Sequence, residues 1–147
     1  EINGRKDTTL ELNIFGSYAD SVMYKTIEQT ITDCTKEWVR KFGVNKNLCK
    51  YYNRWHKFQK AEADGGFYSW HYEASEEHSR AFVWMLYLNT VKEGGNTQFW
   101  KDPDNIIEVA PKQGKFVFWP AGETHYHRSK PDLKSTKYIL TGWVYRK

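Results

Sequence analysis

The chain has 147 residues and a net charge of +4, is 39% hydrophobic, and carries 7 Trp, 10 Tyr and 8 Phe. That length suits one domain, expected over residues 1–147, and so many aromatic residues supply the burial that offsets ordering entropy, which argues against disorder. No apolar run reaches the roughly 18 residues of a membrane-spanning helix, no signal peptide opens the chain, and the short basic segment Arg128, Lys130, Lys134, Lys137 is too thin for a nucleic-acid face. The chain begins with Glu1, not Met, so a missing upstream stretch is expected. Two cysteines, Cys34 and Cys49, are too few for a disulfide scaffold; a reduced, cytoplasmic or otherwise intracellular protein is expected, with one bridge left open.

After a polar, irregular stretch, the apolar residues Val22, Met23, Ile27, Ile31, Cys34, Trp38 and Val39 recur mostly at spacings of three and four. This predicts an amphipathic helix from Ala19 to Phe42, stopped by Gly43. Residues 44 to 65 are polar and poorly periodic, and are expected to form a lid. Strands are predicted over 66–73, 81–89, 97–100, 106–110, 115–119, 123–128 and 137–146, most of them rich in β-branched and aromatic residues. Turn formers separate them, among them Asp64-Gly65-Gly66, Glu93-Gly94-Gly95 and Pro120 to Gly122. One helix followed by many short strands describes a mainly β jelly roll, a double-stranded β-helix braced by its N-terminal helix.

Of the five histidines, His71 stands in the tripeptide His71-Tyr72-Glu73. In a strand, positions i and i+2 share a face about 6.6 Å apart, so an imidazole and a carboxylate can converge on one metal. A further histidine must arrive from another strand, and His125 and His127, also two apart, are both candidates. Two histidines and one carboxylate, leaving one face of the metal open, suit a non-haem Fe(II) oxygenase; zinc accepts the same donors. His56 and His78 are expected to be solvated or locally bonded.

Four segments then carry a likeness: GGFYSWHYE at 65–73, RAFVWMLYLNTVKEGGNTQFW at 80–100, GKFVFWPAGETHYHRSKP at 114–131, and KYILTGW at 137–143. In this order and at these distances, residues 56–147 resemble the prolyl 4-hydroxylase-like branch of the Fe(II)/2-oxoglutarate dioxygenases, especially its small bacterial and phage-type members. The resemblance implies His71 and Glu73 as ligands. It selects His127 over His125, because the family's distal histidine often lies four residues before a proline and ten before a lysine, as His127 does before Pro131 and Lys137. His125 is left a supporting or substrate-facing role. Lys137 is implied to pair with the distal carboxylate of 2-oxoglutarate, and Trp143, six residues on, shares its strand face. Arg80 matches a recurrent family arginine and is expected to support the fold.

Two departures stand out. Most members carry Asp as the carboxylate ligand; the extra methylene of Glu73 is expected to loosen its placement. The tyrosine that often precedes the first histidine by nine or ten residues, and helps hold the cosubstrate, is replaced by Ala61 and Glu62. Tyr68 or Tyr87 is expected to substitute for it. Trp84, Trp100, Phe116, Phe118 and Trp119 are expected to be core or wall.

The resemblance implies hydroxylation with Fe(II) and 2-oxoglutarate, releasing succinate and carbon dioxide, with ascorbate as a candidate reductant. A protein or peptide substrate carrying proline is favoured, with Trp70 and Tyr126 placed to stack on it. A small molecule or another amino acid on the same scaffold is the alternative, and a non-catalytic jelly-roll binding module is the rival of another class. A nucleic-acid demethylase is disfavoured, since such enzymes usually grip the cosubstrate with arginine.

Overall fold

Side-chain alternation decides the architecture, because each strand of the larger sheet sends one set of residues towards a helix and the other into a cavity. The computed structural model describes residues 5–12, 16–43, 50–75, 77 and 79–147. In chain order it contains β1 (Arg5–Lys6), β2 (Thr8–Leu12), α1 (Val22–Lys41), β3 (Tyr51–Ala61), β4 (Gly66–Phe67), β5 (Arg80–Tyr87) and β6 (Thr97–Asp102). There follow β7 (Asn105–Val109), β8 (Phe116–Pro120), a 3-10 turn (Glu123–His125), β9 (His127–Ser129) and β10 (Lys137–Arg146). The strands form a five-stranded sheet in the order β2-β3-β10-β5-β8, a three-stranded sheet β7-β6-β9, and a small β1-β4 pair. All named pairings are antiparallel. Two opposed antiparallel sheets braced by one helix are the expected jelly roll.

Helix α1 starts on Ser21, whose hydroxyl accepts from the Tyr24 N–H at 3.1 Å and so satisfies one of the unpaired N–H groups of the first turn. It ends at Gly43, whose φ of +64° suits the left-handed position after a helix. Ile27 and Ile31 pack on Phe82, Trp84, Leu140 and Val144 of β5 and β10. The helix is shorter than the expected 19–42, and its face is narrower. Val22 is 80% exposed and Met23 is also exposed.

The expected lid is corrected. Residues 51–61 are β3, paired with β2 on one side and β10 on the other; residues 44–49 lie outside the described residues. A bulge disguises this strand. As β10 advances from Trp143 to Val144, its partner on β3 jumps from Trp55 to Asn53, so the helix-facing set changes parity at Arg54. On the helix face, His56 is buried and bonded. Its Nδ1 lies 2.8 Å from the Tyr18 hydroxyl, and its Nε2 lies 3.0 Å from Glu28 Oε1 and 2.6 Å from the Asn53 amide nitrogen. His78 lies outside the described residues, as does Cys49; Cys34 is a free thiol. Among the described residues no helix is long and apolar enough to cross a membrane.

Candidate metal and cosubstrate site

Two of the strand predictions fail at the site itself. Residues 71–73 lie outside any regular strand, and 123–128 divides into the 3-10 turn and β9. What brings His71 to His127 is an isolated antiparallel bridge: the His71 N–H donates to the His127 carbonyl at 3.1 Å, and the His127 N–H donates to the His71 carbonyl at 2.9 Å. Directly opposed residues of an antiparallel pair put their side chains on one face, and the two imidazole centroids are 4.3 Å apart. The chain beyond His71 is pinned by the Glu73 and Ala74 N–H groups, both donating to the Ala121 carbonyl at 2.9 Å. The side chains of His71, Glu73 and His127 thus converge, with one ligand atom from each lying within 4.8 Å of the others.

The hydrogen bonds around these rings decide which nitrogens are free. His71 Nδ1 lies 2.9 Å from the Ser69 carbonyl, and His127 Nδ1 lies 3.0 Å from the His125 carbonyl. A carbonyl only accepts, so both Nδ1 atoms carry the proton and both Nε2 lone pairs are left free. They face Glu73 Oε1, at 3.4 Å from His71 and 3.8 Å from His127. Burial holds His127 neutral, its pKa lowered to about 4. Burial also opposes ionisation of Glu73, but its carboxyl is brought below the ordinary range by the hydrogen bond and charge His71 would supply as an imidazolium, then by His127 in the same form and by Arg80. With His127 neutral, Arg80 is the lasting cation beside it. Lone pairs converging on one point from two imidazoles and a carboxylate fit a divalent metal, the donor set being that of the facial triad.

Glu73 is not loosely placed. Its Oε2 accepts from Arg80 Nη1 at 3.0 Å and from Trp143 Nε1 at 3.1 Å. The expectation of a loosened carboxylate is corrected by these contacts, and Arg80, expected to support the fold, also contacts Glu73.

The three side chains lie on the wall of a cavity of about 340 Å³ between the sheets. Register explains the rest of the lining: Lys57, Gln59 and Ala61 of β3 oppose Thr141, Ile139 and Lys137 of β10, and Met85 and Val83 of β5 oppose Thr141 and Trp143. Lys137 is 6% exposed. Its ammonium donates to the Gly95 carbonyl at 2.8 Å and to Ser129 Oγ at 3.0 Å, both neutral acceptors. Burial lowers its pKa to about 8, against the pull of Asp7 and Asp132. The Gly94-Gly95 turn makes the first of these contacts possible. Gly94 sits at φ +75°, and a Cβ there would come 1.9 Å from the Asp132 carbonyl oxygen.

Neither tyrosine occupies the expected place. Tyr87 is fully buried with its hydroxyl on Thr97 Oγ1 at 2.7 Å, and neither it nor Tyr68 lines the cavity. Ala61, opposite Lys137 in the register, leaves space that Gln59 and Asp7 border. Asp7, Gln59 and Ser129 carried no sequence signal, since nothing in spacing links them to Lys137. Trp143 and Trp119 do line the cavity, whereas Trp100, expected as core or wall, is 41% exposed.

The model of the 2OG-Fe(II) oxygenase superfamily matches residues 55–145, more than half of the chain. The chain belongs to this superfamily. Its members' cofactors, Fe(II) and 2-oxoglutarate, agree with the donor set and with the buried cation in the same cavity. The chain is 30% identical to prolyl 4-hydroxylase 13 of Arabidopsis thaliana over 52% of its own length and 38% of that protein's, so it spans well under half of this curated relative. Among solved structures it is similar to a Pseudomonas putida prolyl-4-hydroxylase, with a TM-score of 0.74 at 16% identity over 99% of this chain and 76% of that one. It is also similar to a Trichoplax adhaerens prolyl hydroxylase in complex with a hypoxia inducible factor oxygen degradation domain peptide fragment. There the TM-score is 0.70 at 14% identity, over 99% of this chain and 66% of that one. At such identities these structures show the oxygenase fold, in this case the jelly roll expected from the strand pattern.

Proposed function

We propose that the protein is an Fe(II)- and 2-oxoglutarate-dependent dioxygenase that hydroxylates a peptidyl proline, with His71, Glu73 and His127 as the iron ligands and Lys137 as the cosubstrate anchor. One observation carries this reading: a buried ammonium whose hydrogen-bond partners among the described residues are both neutral shares a cavity with three converging ligand atoms. A buried charge is costly unless it is closely paired; Asp7 and Asp132 offset that cost only in part, and a dicarboxylate bound in this cavity would supply a closer anion.

The chemistry that bound iron and 2-oxoglutarate supply is insertion of one oxygen atom of dioxygen into a substrate C–H bond, the other entering succinate as carbon dioxide leaves. The chain's own residues orient and shield. The Ser69 and His125 carbonyls fix the tautomers that present Nε2. Lys137 holds the distal carboxylate, and Val83, Met85, Trp119 and Ile139 line the cavity with apolar surface that keeps water from the reacting centre.

Support for a peptide comes from the Trichoplax relative, whose bound partner is a peptide fragment, and from exposed aromatic residues next in sequence to the ligand histidines or packed on their neighbours. Tyr72, Trp100 and Tyr126 are exposed, and the Arg128 guanidinium, itself part of the cavity lining, lies 4.5 Å from the centre of the Trp70 ring. Exposed aromatic surfaces of this kind suit extended, proline-containing segments.

The test is to incubate iron-loaded protein with 2-oxoglutarate and a library of proline-containing peptides, reading succinate together with hydroxylated peptide by mass spectrometry. Coupled formation of both, lost in His127→Ala, is the expected result. Succinate at equal slow rates in wild type and His127→Ala would remove the ligand assignment. Hydroxylation confined to non-prolyl residues or small molecules would remove the substrate.

A further inference from the structure

We infer that Arg80 and Trp143 are positioning residues that clamp the far oxygen of Glu73, so that this chain requires glutamate, not the shorter aspartate, as its carboxylate ligand. The inference rests on the ligand assignment above and deepens it.

The two oxygens of Glu73 have different partners. Oε1 faces the imidazoles, at 3.4 and 3.8 Å. Oε2 receives Arg80 Nη1 at 3.0 Å and Trp143 Nε1 at 3.1 Å. These donors come from the first residue of β5 and from β10, adjacent strands of the larger sheet, so their positions are set by the fold and not by the loop that carries Glu73. The same Arg80 nitrogen also donates to the Glu73 carbonyl at 3.1 Å, which ties both ends of the residue to one guanidinium. The donors steady each other as well: the guanidinium lies 4.0 Å from the centre of the Trp143 ring. The Arg80 and Glu73 side chains are 19% and 20% exposed, so the hydrogen bonds are little weakened by water.

With Oε2 held by two donors, Oε1 is the oxygen left for a metal. Ligation through both oxygens would require the carboxylate to rotate away from both bonds. Glutamate spans the distance from its backbone to the imidazoles and the clamp together. Removing one methylene draws the carboxylate back by about 1.5 Å, one C–C bond, too far for one oxygen to stay among the imidazoles while the other meets donors fixed in the sheet. The departure from the family's usual aspartate is therefore matched by two partners and is not a loosening.

The test uses Co(II) as the probe, following its dissociation constant by calorimetry and its visible absorption bands. Variants are Trp143→Phe, which keeps the ring beneath Arg80 and deletes one N–H, Arg80→Lys, Glu73→Asp, and Trp143→Phe combined with Glu73→Asp. Loss of a partner behind a metal ligand commonly weakens affinity about 10- to 100-fold. Trp143→Phe should weaken Co(II) binding by about the lower figure and shift the visible bands, with an unchanged melting temperature of the metal-free protein. Glu73→Asp should weaken binding at least as much, and Trp143→Phe should cost nothing further in that background. Unchanged affinity and spectrum in both Trp143→Phe and Arg80→Lys would overturn the clamp, as would a full cost of Trp143→Phe in the aspartate background. Wild type that binds no Co(II), or His127→Ala that binds it equally well, would overturn the ligand assignment and the clamp with it.

Discussion

Replacing Lys137 by Met keeps the length and apolar stem of the side chain and removes only the ammonium. The native amine titrates at about 8 in place of its ordinary 10.5. That difference is worth about 3 kcal/mol against the charged form at neutral pH. Deleting the amine relieves this cost but removes two hydrogen bonds and leaves the Gly95 carbonyl and Ser129 hydroxyl without it, a loss of about 1–3 kcal/mol. The ligand-free Lys137→Met protein should therefore lie within about 2 kcal/mol of wild type, whereas breaking a true buried ion pair costs about 3–5 kcal/mol. The pH dependence has a definite sign. Between about 8 and 10.5 the unfolded chain binds more protons at this lysine than the folded one, so wild-type stability rises with pH across that window. The cost is fully present below it, and the variant lacks this rise. Cosubstrate binding behaves oppositely: a carboxylate needs the ammonium, so 2-oxoglutarate affinity should fall as pH rises above about 8. Loss of the cation should weaken that affinity by about 2–5 kcal/mol, roughly 30-fold or more. Urea unfolding at several pH values and calorimetric titration of 2-oxoglutarate with Mn(II) present and oxygen excluded measure both. A variant destabilised well beyond about 3 kcal/mol, or one that binds 2-oxoglutarate as wild type does, would refute the account of Lys137 as an unpaired cation awaiting an anion.

Gly142→Ala would put a Cβ 2.0 Å from the Trp55 carbonyl oxygen and 2.7 Å from Trp84 Cζ2; a loss of about 3 kcal/mol, from forced movement of a central strand, should appear in urea unfolding. Ile31→Ala should cost about 2–5 kcal/mol in the same measurement, because Ile31 is buried against β5 and β10 where little can collapse into the void. Chelation of the metal should abolish succinate formation without lowering strand content by circular dichroism, and Fe(II) should restore it. Persistence of activity in chelator would exclude the metal role of His71, Glu73 and His127.

The central strands were legible because β5, β8 and β10 are rich in β-branched and aromatic residues, and Gly114 and Pro120 mark the limits of β8. Strand β3 was not, and the reason is physical. Its cavity face carries Lys57 and Gln59, its helix face carries His56, and the bulge at Arg54 exchanges the faces midway, so no single period runs through it. The spacing of His71 and Glu73 implies a shared strand face, but no strand spans them; the bridge to His127 aligns His71, and hydrogen bonds to the Ala121 carbonyl place Glu73. Spacing alone left His125 and His127 equal, and the likeness to the oxygenases separated them. In the structure His125 contributes its carbonyl, which fixes the His127 tautomer. The roles of Arg80 and Trp143 were beyond any reading of local pattern, since they meet Glu73 only once the loop and both strands are in place.

Strand β10 shows why site and fold are hard to separate here. Lys137, Ile139, Thr141 and Trp143 line the cavity, while Leu140 and Val144 enter the core against α1 and Gly142 admits the Trp84 indole. A slip of one residue would carry the Lys137 ammonium towards that apolar core and turn Leu140 into the cavity, exchanging every side chain at once. Two contacts resist it: Thr141 Oγ1 donates to the Trp84 carbonyl at 2.6 Å, and the absent side chain at Gly142 leaves room for the Trp84 ring. The same register that packs the core therefore sets the interval between the Lys137 cation and the Glu73 clamp at Trp143. Stability alone would favour an apolar residue at position 137. A lysine whose charged form is disfavoured there by about 3 kcal/mol at neutral pH makes sense when its anion is a ligand, and the distance from that lysine to the three converging ligand atoms is then the dimension the strand has to keep.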